Sequence, residues 1–485
     1  MAAGVVQRLL GRAQECEFRP MRLFNGVCLQ LNCYTLRAAI TNCQLNSEQI
    51  ASLALASCKY DRGYFHITTR QAVQFSWLSL AAAAKLSQLL SRVGLSSLHT
   101  SGNCVRQITC DPLWGVSLDE TADATGLIST LKQHIVSNRA MELLPEKVKM
   151  CVWSAYEDRV LGQFNDIGIK LTADGGFVAL GGGLGRAPAA GARLIKLRAH
   201  LITCWVLAFL RVYNALALTC KYSLRAKFLV RKLSKLALFK LTSCELNSSA
   251  RALAILPARA SEVRLKRVYV ARWLNLYKFE HWYSKCTWSQ RALGARWVSV
   301  GTNAPPGDIT AASAMALATL AQRYCMDQIR LTLSQTLILP WMPTAHAVDV
   351  FGVCSRYLPH NVVCCPGLDC CALASARSIL VASKLTLLKT ALNIRVSACA
   401  NACSQHHAFD IGVVGVLKPN LEAYQVFVFG SAHAGRIAKP ISKAAPARKV
   451  IPLVCRYCAL VRLLLKDRFE CAYACCLRVH VSLRN

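Results

Sequence analysis

Six cysteines in two short stretches are the residues of this sequence most able to do chemistry. The stretch VVCCPGLDCCALASARS (362–378) holds Cys364, Cys365, Cys370 and Cys371, and RVSACANACSQHH (395–407) adds Cys399 and Cys403. Cys365 and Cys371 are spaced C-x5-C, Cys399 and Cys403 C-x3-C, with 27 residues between the pairs. A disulfide framework, a zinc site, a metal cluster and scatter among 25 cysteines are the alternatives. Zinc ribbons prefer C-x2-C knuckles, so zinc fits poorly. Four thiolates from two separated loops suit a [4Fe–4S] cube. Pro366 and Gly367 would turn the first loop tightly, and Ala398, Ala400 and Ala402 are small enough for a close approach of the second.

The elements that must hold these loops come from a chain that repeats itself. LNSEQIASLALASCKYDRGYFHITTRQAVQFSW (45–77) aligns without a gap with ITAASAMALATLAQRYCMDQIRLTLSQTLILPW (309–341). Each copy opens as a helix and closes as an alternating, strand-like run. On such a strand Thr68, Arg70 and Ala72 share one face, which His66 and Gln74 extend. A looser echo relates FNDIGIKL (164–171) to FDIGVVGV (409–416), each followed by a strand and a glycine turn. The order A-B-A′-B′ predicts a duplicated α+β protein with pseudo-twofold symmetry and a site on the axis between halves. Candidate boundaries lie near 98–102, 294–308 and after 340–345. Residues 186–285 read as helical, with little punctuation.

At 485 residues the chain exceeds one compact core. Its 54% hydrophobic and 17% charged composition is that of a globular protein. The first twenty residues lack the apolar core of a signal peptide, and LITCWVLAFL (201–210) is about half a bilayer span, so a cytoplasmic location and no membrane partner are expected. The net charge of +33 is spread along the chain and suits an anionic partner. No helix-turn-helix, zinc-finger or RNA-binding signature accompanies it, so nucleic acid is not the expected partner.

CPGLDCCALASARSI and SACANACSQHH closely resemble the cluster loops of the sirohaem-dependent nitrite/sulfite reductases, in particular the haemoprotein subunit of assimilatory sulfite reductase. MRLFNGVCLQLNCYTLRAAI (21–40), KYDRGYFHITTRQAVQFSW (59–77), TSGNCVRQITCDP (100–112), LLPEKVKM (143–150), GGGLGR (181–186) and RVYN (211–214) fall in the order of that family. The resemblance implies a duplicated pseudo-twofold nitrite/sulfite reductase fold of α+β class. Ferredoxin-like half-domains would occupy 1–98 and 285–352. A first sirohaem-binding domain would occupy 99–284, and a second, carrying the cysteines, 353–485.

It implies two cofactors, sirohaem and a [4Fe–4S] cluster. By motif position Cys365, Cys371, Cys399 and Cys403 are the ligands, with Cys403 bridging to the sirohaem iron, and Cys364 and Cys370 are bystanders. Thr68, Arg70, Gln71, Gln74 and Asn103 would contact the sirohaem, whose eight carboxylates call for cations and donors. Arg37, Arg106, Lys147 and Lys149 would surround a small oxyanion, sulfite or nitrite, and stabilise charge as its bonds to oxygen break. GGGLGR is read as a turn near the macrocycle, and His406 and His407 as structural. Electrons would come from a separate acidic donor, such as ferredoxin or a flavoprotein reductase subunit. The expected reaction is six-electron reduction of sulfite to sulfide. Nitrite reduction, or a cofactor-free basic binding protein on the same scaffold, are the alternatives. The sequence departs from the family at Glu146, often an Arg there, and at Ser223-Leu224-Arg225, where the family has Lys-Ala-Arg.

Overall fold

A computed structural model describes Arg8, residues 14–138, Met141, 144–219, 225–233, 235–249, 287–289, 295–302, 306–354, 359–388 and 390–466. The two copies of the repeat fold alike. Asn46 caps the helix Ser47–Tyr60 by accepting from Gln49 N, and Thr310 caps Ala311–Tyr324 by accepting from Ser313 N. Ile50, Leu53 and Ala54 on one helix and Ala314, Leu317 and Ala318 on the other form buried faces, and the two helices pack together.

Each helix covers a five-stranded sheet. One sheet runs Val27–Leu29, Tyr34–Ala39, Ala72–Leu78, Tyr64–Ile67 and Asp308–Thr310; the other runs Thr287–Ser289, Ala295–Val300, Leu337–Pro343, Ile329–Leu331 and Gln44–Leu45. The last strand of each comes from the opposite half, an exchange that joins both sheets around one core. His66 Nδ1 lies 2.7 Å from Asp308 across that exchange.

The strand-like close of the repeat is a hairpin rather than one strand. Tyr64–Ile67 turns through residues 68–71 into Ala72–Leu78, with Thr68 N donating to Ala72 O at 2.8 Å. The Thr68 hydroxyl accepts from Arg70 N and Ala72 N, and Gln71 adopts φ 56°. Short local hydrogen bonds from Thr68 outcompete the extended ladder here. Thr68, Arg70 and Ala72 therefore do not share a strand face, whereas His66 and Gln74 are cross-strand partners.

Two further five-stranded sheets repeat one topology. Thr109–Cys110, Met150–Trp153 and Ile167–Thr172 are parallel, followed by antiparallel Gly175–Leu180 and Ala192–Leu197. Val362–Cys364, Ile394–Ser397 and Ile411–Lys418 are parallel, followed by antiparallel Leu421–Val428 and Lys439–Pro440. The central strands Met150–Trp153 and Ile394–Ser397 are buried throughout, as parallel strands covered on both faces require. Of residues 186–285, read as helical from the sequence, Ala226–Lys232 and Lys235–Ser249 are helices, and 250–285 lie outside the described residues. The exception is the strand Ala192–Leu197, which precedes the helix Ala199–Leu218. That helix is long and apolar enough to cross a membrane; here it packs in the core with Trp205, Phe209 and Tyr213 buried. CRYC (455–458) lies on the helix Ala447–Lys466, and CAYACC (471–476) lies outside the described residues.

Candidate functional site

The cluster loops hang from the parallel strands of the second sheet. Cys364 ends the strand Val362–Cys364, its thiol buried against Pro306 O at 3.8 Å, and Cys370 is buried with its thiol 3.8 Å from Ser76 O. Both sit in protein contacts of their own. Cys365, Cys371, Cys399 and Cys403 face one another: each of the first three feels the charge of Cys403, and Cys399 also that of Cys371. Burial raises the thiols of the first three, that of Cys365 to about 12. Backbone N–H groups aim at the same sulfurs: Ala398 and Gly367 at Cys365, Leu373 at Cys371, Asn401 at Cys399. Thiols pushed up by burial yet surrounded by donors fit a ligand that deprotonates them. Among the described residues no three such groups close on a single metal ion. A cube, whose four thiolates each hold a different iron, does not require that they should.

Cations meet this group from four segments of the chain. The hairpin turn brings Arg70, whose Nη2 donates to Gln107 O at 2.8 Å and Nη1 to Asn165 Oδ1 at 3.3 Å. The adjoining Thr69 hydroxyl donates to Cys403 O at 2.6 Å, so turn and cluster loop are in direct contact. Lys147 and Lys149 flank Val148, which bridges to Val105, and the alternation leaves both on one side. Arg106 braces itself on Thr100 O and Gly102 O. Arg37 Nε donates to Gln74 Oε1 at 2.8 Å.

Packing these charges together is costly. Burial, then Arg70 and Arg225, push the Lys149 ammonium down to about 7. Burial, then Arg106, push Arg70 down to about 10, and Arg106 and Lys147 are lowered by burial and by neighbouring arginines. Lys147 and Lys149 both feel Cys403. Asp166 and Glu146 offset these cations only in part, and a polyanion would supply the rest of the negative charge. The buried Arg225 Nε has no partner among the described residues. Gly185, at φ 107°, brings the GGGLGR turn alongside Ala400 O and Asn401 O of the cluster loop.

Three expected cofactor contacts do other work. Gln71 is fully buried; its amide donates to Cys110 O at 2.7 Å and Leu331 O at 3.1 Å and accepts from Cys110 N at 3.0 Å, which satisfies both ends. Gln74 orients Arg37 and donates to Ser76. Asn103 is exposed, with its amide on Pro145 O. Arg225, Asp166 and Asn165 belong to the site without having been assigned to it. Asp166 carried a signal, since it lies in the echoed Asp-Ile-Gly. His406 and His407 stack on each other at 4.0 Å and on Phe427, with burial lowering both imidazoles, as structural residues would.

The second half repeats the pocket with a different set of charges. A cavity of about 680 Å³ is lined by Ser299, Ser334 and Asn393, and its charged lining is mixed, with Arg159 and Arg395 beside Asp119, Glu157, Asp158 and Asp410. By register these stand where the first half has Arg37, Arg70 and Lys149. A site on the pseudo-twofold axis would be single. The cation cluster has this separate counterpart, so it lies off the axis.

The nitrite and sulphite reductase 4Fe-4S domain matches residues 101–236, and the nitrite/sulfite reductase ferredoxin-like half domain matches 30–93 and 293–353. Together they span more than half of the sequence. The chain belongs to the sirohaem nitrite/sulfite reductase family. A chloroplastic ferredoxin–nitrite reductase of Oryza sativa is 25% identical, over 89% of this chain and 75% of that protein. An assimilatory ferredoxin-dependent nitrite reductase of Haloferax mediterranei is 26% identical over 74% of this chain and 64% of its own length. A sulfite reductase [ferredoxin] of Mycobacterium tuberculosis is 25% identical over 83% and 74%. The solved structure of Mycobacterium tuberculosis NirA superposes with a TM-score of 0.80 at 19% identity, covering 96% of this chain and 92% of that one, and shows the same fold. The chain is an oxidoreductase of this family, with sirohaem and a [4Fe–4S] cluster as cofactors. The half-buried thiols with their N–H donors and the surplus of cations fit the two groups.

Proposed function

We propose that the protein reduces sulfite to sulfide, using Cys365, Cys371, Cys399 and Cys403 to hold the cluster and Arg70 with Arg225 to receive carboxylates of the sirohaem. The supporting observation is the convergence of Lys147 and Lys149 on Cys403, with Arg70, Arg106 and Arg225 behind them. The cofactor pair supplies single electrons to a bound oxyanion. Everything else falls to the protein. Arg37, Arg106, Lys147 and Lys149 hold a dianion and oppose the charge that gathers as each oxygen leaves. Lys149, buried beside Arg70 and Arg225, can give a proton as each bond to oxygen breaks and regain it from solvent. Four cations around a small anion favour doubly charged sulfite over singly charged nitrite. The donor is an acidic ferredoxin, in keeping with the names of the relatives and the charge of +33.

A visible spectrum of the purified protein tests the cofactor assignment, with Soret and red bands expected alongside iron and acid-labile sulfide. Steady-state rates with the two anions test the substrate: a higher kcat/KM for nitrite would reverse the assignment. Cys403→Ser is expected to abolish turnover with either anion, and an active Cys403→Ser enzyme would remove Cys403 from the ligand set.

A further inference from the structure

The two halves provide an internal comparison for one buried acid. Asp166 is fully buried, and its Oδ2 accepts the backbone N–H of Lys149 at 2.9 Å. Its carbonyl accepts from Gly181 N at 3.0 Å. Asp410 makes the same pair of bonds in the second half, to Asn393 N at 2.9 Å and Phe429 N at 3.2 Å. This shared pair anchors the entry to the central parallel strand and is scaffold in both halves. The remaining bonds of Asp166 have no counterpart. Arg225 Nη2 donates to its Oδ1 at 2.9 Å and its Oδ2 at 2.7 Å, whereas Asp410 accepts instead from the amide of Asn393 at 3.2 Å.

Arg225 needs such a hold. It is a like-charge neighbour of Arg70, Arg106, Lys147 and Lys149, and repulsion from those four drives a free guanidinium out toward water. Gly183 leaves it room: a Cβ there would stand 3.2 Å from Nη2. With Nη2 fixed on Asp166, the buried Nε–H remains as a donor.

We propose that Asp166 is a positioning residue whose carboxylate pins Arg225 inside the cation cluster, so that the guanidinium meets the carboxylates of sirohaem already oriented. The proposal rests on the functional reading above and adds a partner that Asp410 lacks. Its test is a double-mutant cycle of Asp166→Asn and Arg225→Ala, with Asp410→Asn as control. Asparagine keeps an acceptor for the backbone N–H in both halves. Sirohaem per chain, read from absorbance and iron, is expected to fall about threefold or more in each single variant and no further in the double, the pattern of two residues acting as one unit. KM for sulfite should rise with it, and Asp410→Asn should load like wild type. Additive losses, or equal loss in Asp410→Asn, overturn the proposal. If Asp166→Asn does not fold, Arg225→Met decides, and wild-type loading of that variant overturns it. A wild-type protein without sirohaem bands would instead sink the functional reading. The pinning of Arg225 is then scored on cofactor-free protein as the thermal midpoints of the same cycle: a non-additive loss supports the Asp166–Arg225 pair, and additive losses overturn it.

Discussion

Lys149 shows how far a single residue can be understood from its type alone. As an isolated lysine it would belong on a solvated surface. The fold places it beside Arg70 and Arg225 and lowers its ammonium to about 7. In cofactor-free protein the unfolded chain therefore holds one more proton than the native chain between about pH 7 and the ordinary lysine value, so stability rises with pH across that interval. The half-buried Cys365 and Cys371 act oppositely. Their thiols are raised in the fold, so above pH 8.5 or about there the unfolded chain loses protons first and stability falls. Urea midpoints from pH 6 to 8.5 are expected to climb in the wild type and to flatten in Lys149→Met. A wild-type profile falling over that range would contradict the assigned burial. Arg225 illustrates the converse: the sequence marks it only as the end of Ser223-Leu224-Arg225, and its role stays hidden because its partner lies 59 residues away.

At the scale of elements, the gapless repeat was legible as duplication, and its deepest consequence lies in two glutamines. Gln71 and Gln335 occupy equivalent places, with φ 56° and 59°. Gln71 clamps Cys110 and reaches Leu331 O; Gln335 clamps Cys364, at 2.9 Å to its O and 3.0 Å from its N, and reaches Ile67 O at 3.0 Å. Each half-domain thus holds the first parallel strand of a large sheet and the hairpin of the other repeat. Gln71 makes three such buried bonds and Gln335 a fourth, with His66 Nε2 at 3.0 Å; together they are worth about 2–4 kcal/mol at each clamp, so Gln335→Ala should lower stability by that amount, read from denaturant midpoints. Gln71→Ala should match it. A loss near zero would mean that other contacts hold the strand entries. Alternation along 64–78 marked a strand and missed the turn, because the signal was the Thr68 hydroxyl bonding two backbone N–H groups rather than a Gly or Pro.

The whole molecule sets the field in which these residues act. With a net charge of +33, encounter with an acidic ferredoxin should be steered over distances that salt screens. Raising ionic strength from about 50 to 300 mM is expected to slow ferredoxin-driven turnover several-fold and to leave turnover with an uncharged small-molecule reductant nearly unchanged. Equal salt sensitivity with both reductants would remove steering from the account. The sequence by itself determined that the chain is duplicated and that two cysteine pairs have a spacing that suits one cluster, while the arginines and lysines that could face an anion came from the resemblance to the family. Repetition and spacing are properties of the chain alone, and they survive without coordinates. Only the tertiary structure decided what each pocket holds: Arg37, Arg70 and Lys149 stand in one, and Ser299, Ser334 and Asn393 take their places in a counterpart of about 680 Å³ where Arg159 and Arg395 face Asp119, Asp158 and Asp410. It alone also joined Thr69 to Cys403 and Arg225 to Asp166. Those pairs are far apart in the chain, and no local pattern encodes a contact that exists only once strands from separate elements have been stacked and their loops brought to one end.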